Sequence, residues 1–474
     1  LRRFDRHGLC RRPQHRGEDQ DTRNREEKAP ETNHACRDPI RPLRVKSHLP
    51  RCRSVGWGSA LRCSMIASPS VWTVMLALLG THLAGMGVFL AVPVLAPAIA
   101  AEAGIPAALA GVHTALVYAG ALVSGPLTGA FIRRYGGIRV LQAGLVVCGL
   151  AVAIAVVPHP VALAASALVC GLGHGPVTPA GSHLLAQRTP ARRRALIFSL
   201  KQCGVPAGAM LIAGATPVIA AAFGWRAGIL SVAAFLAAAA LALQPLRRAL
   251  DAERDRGAAL SNLRSVWGAA VGSLGMLKHH LALRRLTVMG ALYGISQFCF
   301  SSFFVVFQVE ALGATLTEAG LRLAIAQAGG VVGRVLWGLV ADRVGAVPVL
   351  AALGIGAAAS GLALLLAGPD WPGFIVTLAG IGMGATAIGW NGVFLAETAR
   401  LAPAGQVGAA TAAVGFVFGA CMLVGPPLFS AMVQATGGYA LGFAFCAATA
   451  LLGASLLRGA GAVAKGVKGI RWMP

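Results

Sequence analysis

Two basic side chains interrupt stretches that are otherwise apolar. Lys201 stands in Ser199-Leu200-Lys201-Gln202-Cys203-Gly204-Val205-Pro206, and Arg334 stands in a run from Leu321 to Val340 whose other polar members are Arg322 and Gln327. A Lys or Arg at the centre of a membrane costs about 2.5–3.5 kcal/mol on insertion scales, so each needs a reason to be there. No Asp or Glu lies in the middle of any apolar stretch, and Glu397 sits at the end of one. The missing counter-charge then points to an anionic solute held by Lys201 and Arg334. A structural reading stands beside this for both residues. Arg334 precedes Asp342 by about 12 Å of helix and can snorkel toward it, and Lys201 is close enough to the start of its span to do the same. The neutral polar residues of the apolar stretches are His82, His113, Tyr118, His174, Gln202, Gln297, Gln327, Trp390 and Asn391. His113 and the pair His279-His280 are expected to be solvated.

These side chains need apolar elements to hold them, and the composition supplies them. The chain has 474 residues, of which 56% are hydrophobic and 12% charged, with mean hydropathy +0.69. That excludes an ordinary soluble domain and indicates a polytopic membrane protein. Twelve apolar spans run from Trp72 to Leu457, each long enough at about 1.5 Å per residue to cross or nearly cross a bilayer core. The expected organisation is a basic tail at 1–64, six spans in 72–243, a connector at 244–285, six spans in 286–457 and a second basic tail at 458–474. Residues 1–64 carry 16 of the 41 basic and eight of the 17 acidic residues and show no apolar period, so they are expected to be disordered. The first Met is Met65, which is read either as the natural start or as a residue following a genuine basic cytoplasmic tail. No compact apolar region with a small-residue cleavage site follows the tail, so it is not a secretory signal.

The formal charge of +24 is explained by where the basic residues lie. Arg133, Arg134 and Arg139, then Arg188 and Arg192–Arg194, the connector, Arg343, Arg400 and the last tail fall on one side; Arg226 and Arg322 fall on the other. The positive-inside rule places both termini and the connector in the cytoplasm, in a cell inner (plasma) membrane. A bilayer surface accounts for the charge, and nucleic acid is not needed as a partner. The connector's Leu260, Leu263, Trp267, Val271, Leu274, Leu277 and Leu281 recur at helical spacing among basic residues, as in an amphipathic helix on the inner leaflet. Ten cysteines without any Cys-x-x-Cys give neither a disulfide framework nor a metal site. No phosphate-binding loop, zinc-protease motif or nucleophile elbow occurs, so no enzyme, no cofactor and no intrinsic ATP-driven pump is expected.

The segment Gly338-Leu339-Val340-Ala341-Asp342-Arg343-Val344-Gly345 resembles the loop signature of the major facilitator superfamily. A second copy, Gly129-Ala130-Phe131-Ile132-Arg133-Arg134-Tyr135-Gly136, lies 209 residues earlier with Arg133 in the acidic slot. Gly224-Trp225 and Gly438-Tyr439 keep a similar offset. The resemblance covers residues 72–457 and implies an all-α membrane protein, with twelve transmembrane helices in two pseudo-symmetric six-helix halves. It further implies a secondary transporter that works by alternating access. Its latch would be formed by Gly338, Asp342, Arg343, Gly129, Arg133 and Arg134, and would be lopsided because of Arg133. Spans four and ten face the cavity in that superfamily, which adds His174, Asn391 and Trp390; with Gln202 of span five they join Arg334 and Lys201 as expected substrate-lining residues. Phe198 to Pro206, with Gly389-Trp390-Asn391-Gly392, also looks like permeases near the cyanate branch. Gly125 in the slot matching Arg334 departs from the paired arginines of nitrate porters. The expected activity is proton-coupled movement of a small anionic solute by a monomer, with proton-coupled efflux of amphipathic compounds as the alternative.

Overall fold

The computed structural model describes residues 69–190, 197, 200–252, 254–258 and 263–457. Expectations for the tail 1–64, Arg192–Arg194, Leu260 and the tail 458–474 fall outside these residues. Eleven helices are long and apolar enough to cross a membrane: α1 Val71–Ala103, α2 Ala107–Tyr135, α3 Gly137–Ile154, α4 Pro160–Arg188, α5 Leu200–Phe223, α6 Trp225–Leu250, α7 Leu281–Leu312, α8 Leu316–Val344, α9 Ala346–Leu365, α10 Gly373–Leu401 and α11 Val407–Thr436. A shorter apolar helix, α12 Ala440–Leu456, completes the series. Its 17 residues rise about 25 Å, a little less than a bilayer core. No strand occurs among the described residues.

Local chemistry sets the helix ends. Thr315 and Glu318 form a capping box at the start of α8, with Glu318 N donating to Thr315 Oγ1 at 3.2 Å and Thr315 N to a Glu318 carboxylate oxygen at 3.0 Å. The two copies of the charged loop end in the same backbone shape: Gly136 has φ 91° and ψ 154°, and Gly345 has φ 95° and ψ 156°. That left-handed region excludes most side chains, so glycine at both positions is a steric requirement. Elsewhere small residues let backbones touch, as lipid requires when tails and side chains are equally apolar. A Cβ on Gly171 of α4 would lie 2.9 Å from the Ala121 nitrogen and the Gly120 Cα of α2.

The connector is tied to the first charged loop. Asp251, 1% exposed, accepts from the backbone nitrogens of Ile138 and Arg139 at 2.8 and 3.0 Å, where α3 begins. Burial pushes its carboxyl above the usual range, while these two donors and the nearby Arg254 and Arg247 pull it back. Asp255 N donates to the Arg133 carbonyl at 2.9 Å, and Arg134 Nη1 to the Ala258 carbonyl at 3.2 Å. Connector helix Leu263–Ser273 packs on α11. Its Trp267 meets Phe416 edge to face at 6.0 Å, so this part of the expected membrane-surface stripe is covered by protein.

At the end away from the basic loops, the first six spans are joined to the last six. Thr114 Oγ1 of α2 hydrogen-bonds Ser302 Oγ of α7 at 2.8 Å, and Ser430 Oγ of α11 donates to the Ala108 carbonyl. Along their length α5 and α8 pack closely, with Gly320 set against Pro217.

Gly345→Ala is expected to lower apparent thermal stability in detergent by about 1–2 kcal/mol through backbone strain alone. Gly136→Ala should lower it further, because the new methyl also meets the Asp251 carboxylate; equal losses at the two positions would count against that contact.

Candidate functional site

Helix breaks create the site. Pro206 has no N–H, so the Gln202 carbonyl one turn earlier loses its helical donor. Arg334 of α8 supplies one across the interface, with Nη1 at 2.5 Å from that oxygen. A π-turn at Gly384–Ile388 takes α10 out of α-helical register. Two of its carbonyls accept from α8: Ala385 O from Trp337 Nε1 at 2.8 Å and Ile388 O from Arg334 Nε at 3.3 Å. Arg334, 8% exposed, therefore bridges the broken regions of α5 and α10. Glu397, the one buried acid of α10, is bound to Arg400 at 2.5 Å rather than to Arg334. Arg334 thus does not snorkel, and carbonyl dipoles surround it without cancelling its charge.

Lys201 is also buried, 1% exposed, and its Nζ donates to Ser182 Oγ of α4 at 2.9 Å. Gln202 holds its side-chain carbonyl oxygen buried without a hydrogen-bond partner. His174 sits edge-on to Phe89, ring centres 4.9 Å apart, and its Nδ1 is likewise buried and unpartnered. Asn391 adjoins Arg334 through a shared acceptor, its Nδ2 lying 3.5 Å from Ile388 O, and it also donates to Gln297 Oε1 at 3.0 Å. Trp390 is 0% exposed, donates to Gln297 Oε1 at 3.1 Å and packs against Tyr293 and Phe394. Lys201, Gln202, His174, Arg334 and Asn391 therefore gather around the breaks in α4, α5 and α10, and Trp390 anchors α10 to α7.

Sequence reasoning passed over His82 of α1. Its ring is 5% exposed and lies within electrostatic range of Lys201, His174 and Arg334. The signal was one histidine in an apolar span, which by itself is no more than a packing residue. His113 corrects an expectation: it is 7% exposed, not solvated, because the helix packs that position inside the protein. His279 and His280 are exposed as expected.

Between these groups the molecule is nearly closed. A cavity of about 10 Å³, room for one water, lies among Met86, Phe89, Val205, Gln297, Ser301, Gln327 and Ile388. Phe89, Tyr118, Phe298 and Phe418 form an aromatic cluster beside it, with ring centres 5.1–6.2 Å apart. Of the expected latch residues, Asp342 and Arg343 are exposed and Gly338 has nothing within 4 Å of a would-be Cβ. Gly129 is equally open, its nearest neighbour being Arg133, while Arg133 and Arg134 engage the connector.

Twelve apolar helices around a buried polar cluster define a multi-pass membrane transporter. The chain belongs to the Major Facilitator Superfamily, whose family model matches residues 77–398 and 286–468. A Haemophilus influenzae protein provisionally named for metabolite transport is 27% identical over 268 residues, 56% of this chain and 65% of that protein's length. A peptide transporter crystallised with sulfate superposes with TM-score 0.66 at 14% identity, covering 85% of this chain and 98% of that one. A nucleoside transporter gives TM-score 0.64 at 12% identity, covering 81% and 98%. At these identities the solved structures show a shared fold.

Arg334→Leu should cost about 1–3 kcal/mol for each carbonyl left without its donor. Adding Pro206→Ala, which restores an N–H to face Gln202 O, is expected to recover part of that loss while changing little in the parent. Additive effects in a double-mutant thermal cycle would dismiss the Pro206–Arg334 link.

Proposed function

We propose that the protein is a secondary active transporter that imports a small anionic solute with protons across the inner membrane. The carrying observation is Arg334: a buried guanidinium held by two neutral carbonyls, with its charge left for a solute to balance. Lys201 and the donor-bearing Asn391 extend the positive and polar surface that an anion would meet.

Alternating access follows from the breaks. Residues 72–243 rock against 286–457, and an anion entering beside Arg334 competes with the Gln202 carbonyl for the guanidinium. Loosening that contact favours separation of α5 from α8. The exposed Asp342-Arg343 loop fits a latch released in this state and engaged when the opposite end opens. Both termini and the connector are cytoplasmic in this reading, the unit is a monomer, and no cofactor is required.

The aromatic cluster of Phe89, Tyr118, Phe298 and Phe418 favours a second reading, proton-coupled efflux of an amphipathic compound. Counterflow assays in inverted vesicles, run with small anions and with cationic dyes, separate the two.

Thermal-shift screening of formate, pyruvate, nitrate and phosphate should find an anion that stabilises wild type by about 2.7 kcal/mol at a hundredfold excess over Kd. The shift is expected to disappear in Arg334→Ala; a full shift in that variant would refute the anion site. For the latch, Asp342→Asn should slow uptake severalfold at unchanged expression, and an unchanged rate would remove Asp342 from the cycle.

A further inference from the structure

His82 has one ring nitrogen fixed and one idle. Its Nδ1 lies 2.9 Å from the Leu78 carbonyl. That oxygen only accepts, so Nδ1 carries the hydrogen and the Nε2 lone pair is the basic site. Nε2 is buried without a hydrogen-bond partner. Such an atom, 95% enclosed with its residue, is costly to keep unless something occupies its lone pair during the working cycle.

The surroundings decide when it can do so. Helices α3, α4, α5 and α6 pack against the Val71–Gly85 part of α1. Among the described residues, the charged or titratable groups within electrostatic range of His82 are Lys201 on α5, His174 on α4 and Arg334 on α8; α3 and α6 bring none. The Cys203 thiol of α5 lies on the Arg334 side. All the fixed charges facing the ring are therefore positive, and they oppose a second proton on it. A bound monoanion offsets one of the two positive charges and weakens that opposition.

We propose that His82 carries the coupled proton, taking it at Nε2 when an anion sits among Lys201, Arg334 and His174 and returning it to water when the anion leaves. This rests on the anion reading above. The step forms one N–H bond at Nε2 and breaks one O–H bond of a hydronium ion in the entry-side water, leaving a neutral water molecule and the solute unchanged; Nδ1 keeps its bond to Leu78. One monoanion and one proton then cross together, so the occupied site has the same net charge as the empty one. His113, although buried, faces no cation that an anion could screen, and it is not the carrier.

The test is calorimetry on the purified full-length chain with formate, pyruvate and nitrate, each titrated in two buffers of different ionisation enthalpy. Wild type should take up about one proton per anion bound, and its affinity should weaken by up to about tenfold per pH unit as pH rises. His82→Gln should bind the anion with little proton uptake and a flat pH profile, whereas His113→Gln should behave as wild type. Anion binding without proton uptake in wild type, uptake retained in His82→Gln, or uptake lost in His113→Gln would each overturn the assignment. The first and third of these outcomes are readable even where His82→Gln does not fold. If wild type binds none of the three anions, the underlying site reading falls, and the coupling role falls with it.

Discussion

The guanidinium of Arg334 is the contact on which the interior depends. A helix that crosses lipid must satisfy every backbone group internally, yet Pro206 and the π-turn of α10 both release carbonyls at membrane depth. One side chain from α8 reaches both. The breaks are tolerable because Arg334 is there, and Arg334 is tolerable because the breaks supply it with oxygen acceptors. Neither could be placed alone without leaving an unsatisfied group in a medium that has no water to offer.

That mutual dependence also gives the interface its capacity to move. The contact from Arg334 to the Gln202 oxygen joins the first six spans to the last six, and it is a hydrogen bond to a neutral acceptor rather than an ion pair. An anion is a stronger acceptor than a carbonyl and can displace it. The close glycine-mediated approach of α2 and α4, by contrast, leaves no space between the two backbones.

Much of the architecture was legible as periodicity and composition. Spans ended close to where apolar runs end, and the two glycine-terminated loops, recognised as a repeat 209 residues apart, share one left-handed turn. For the site, residue type pointed to Lys201 and Arg334 as cations inside apolar spans, and both are buried. What Trp390 touches was not legible, because an aromatic beside Asn391 has no face until Gln297 and Tyr293 are placed against it. Asp251 was passed over because its two backbone partners lie more than a hundred residues away.

The sequence by itself determined that this is an all-helical membrane protein with a duplicated loop, because hydrophobic length and glycine stereochemistry are local properties. Only the tertiary structure decided which polar atoms meet. The coupling of Pro206 to Arg334 is 128 residues long, and the face of His82 is set by three other helices. Satisfaction of buried polar groups is a property of packed neighbours, and no local pattern records it.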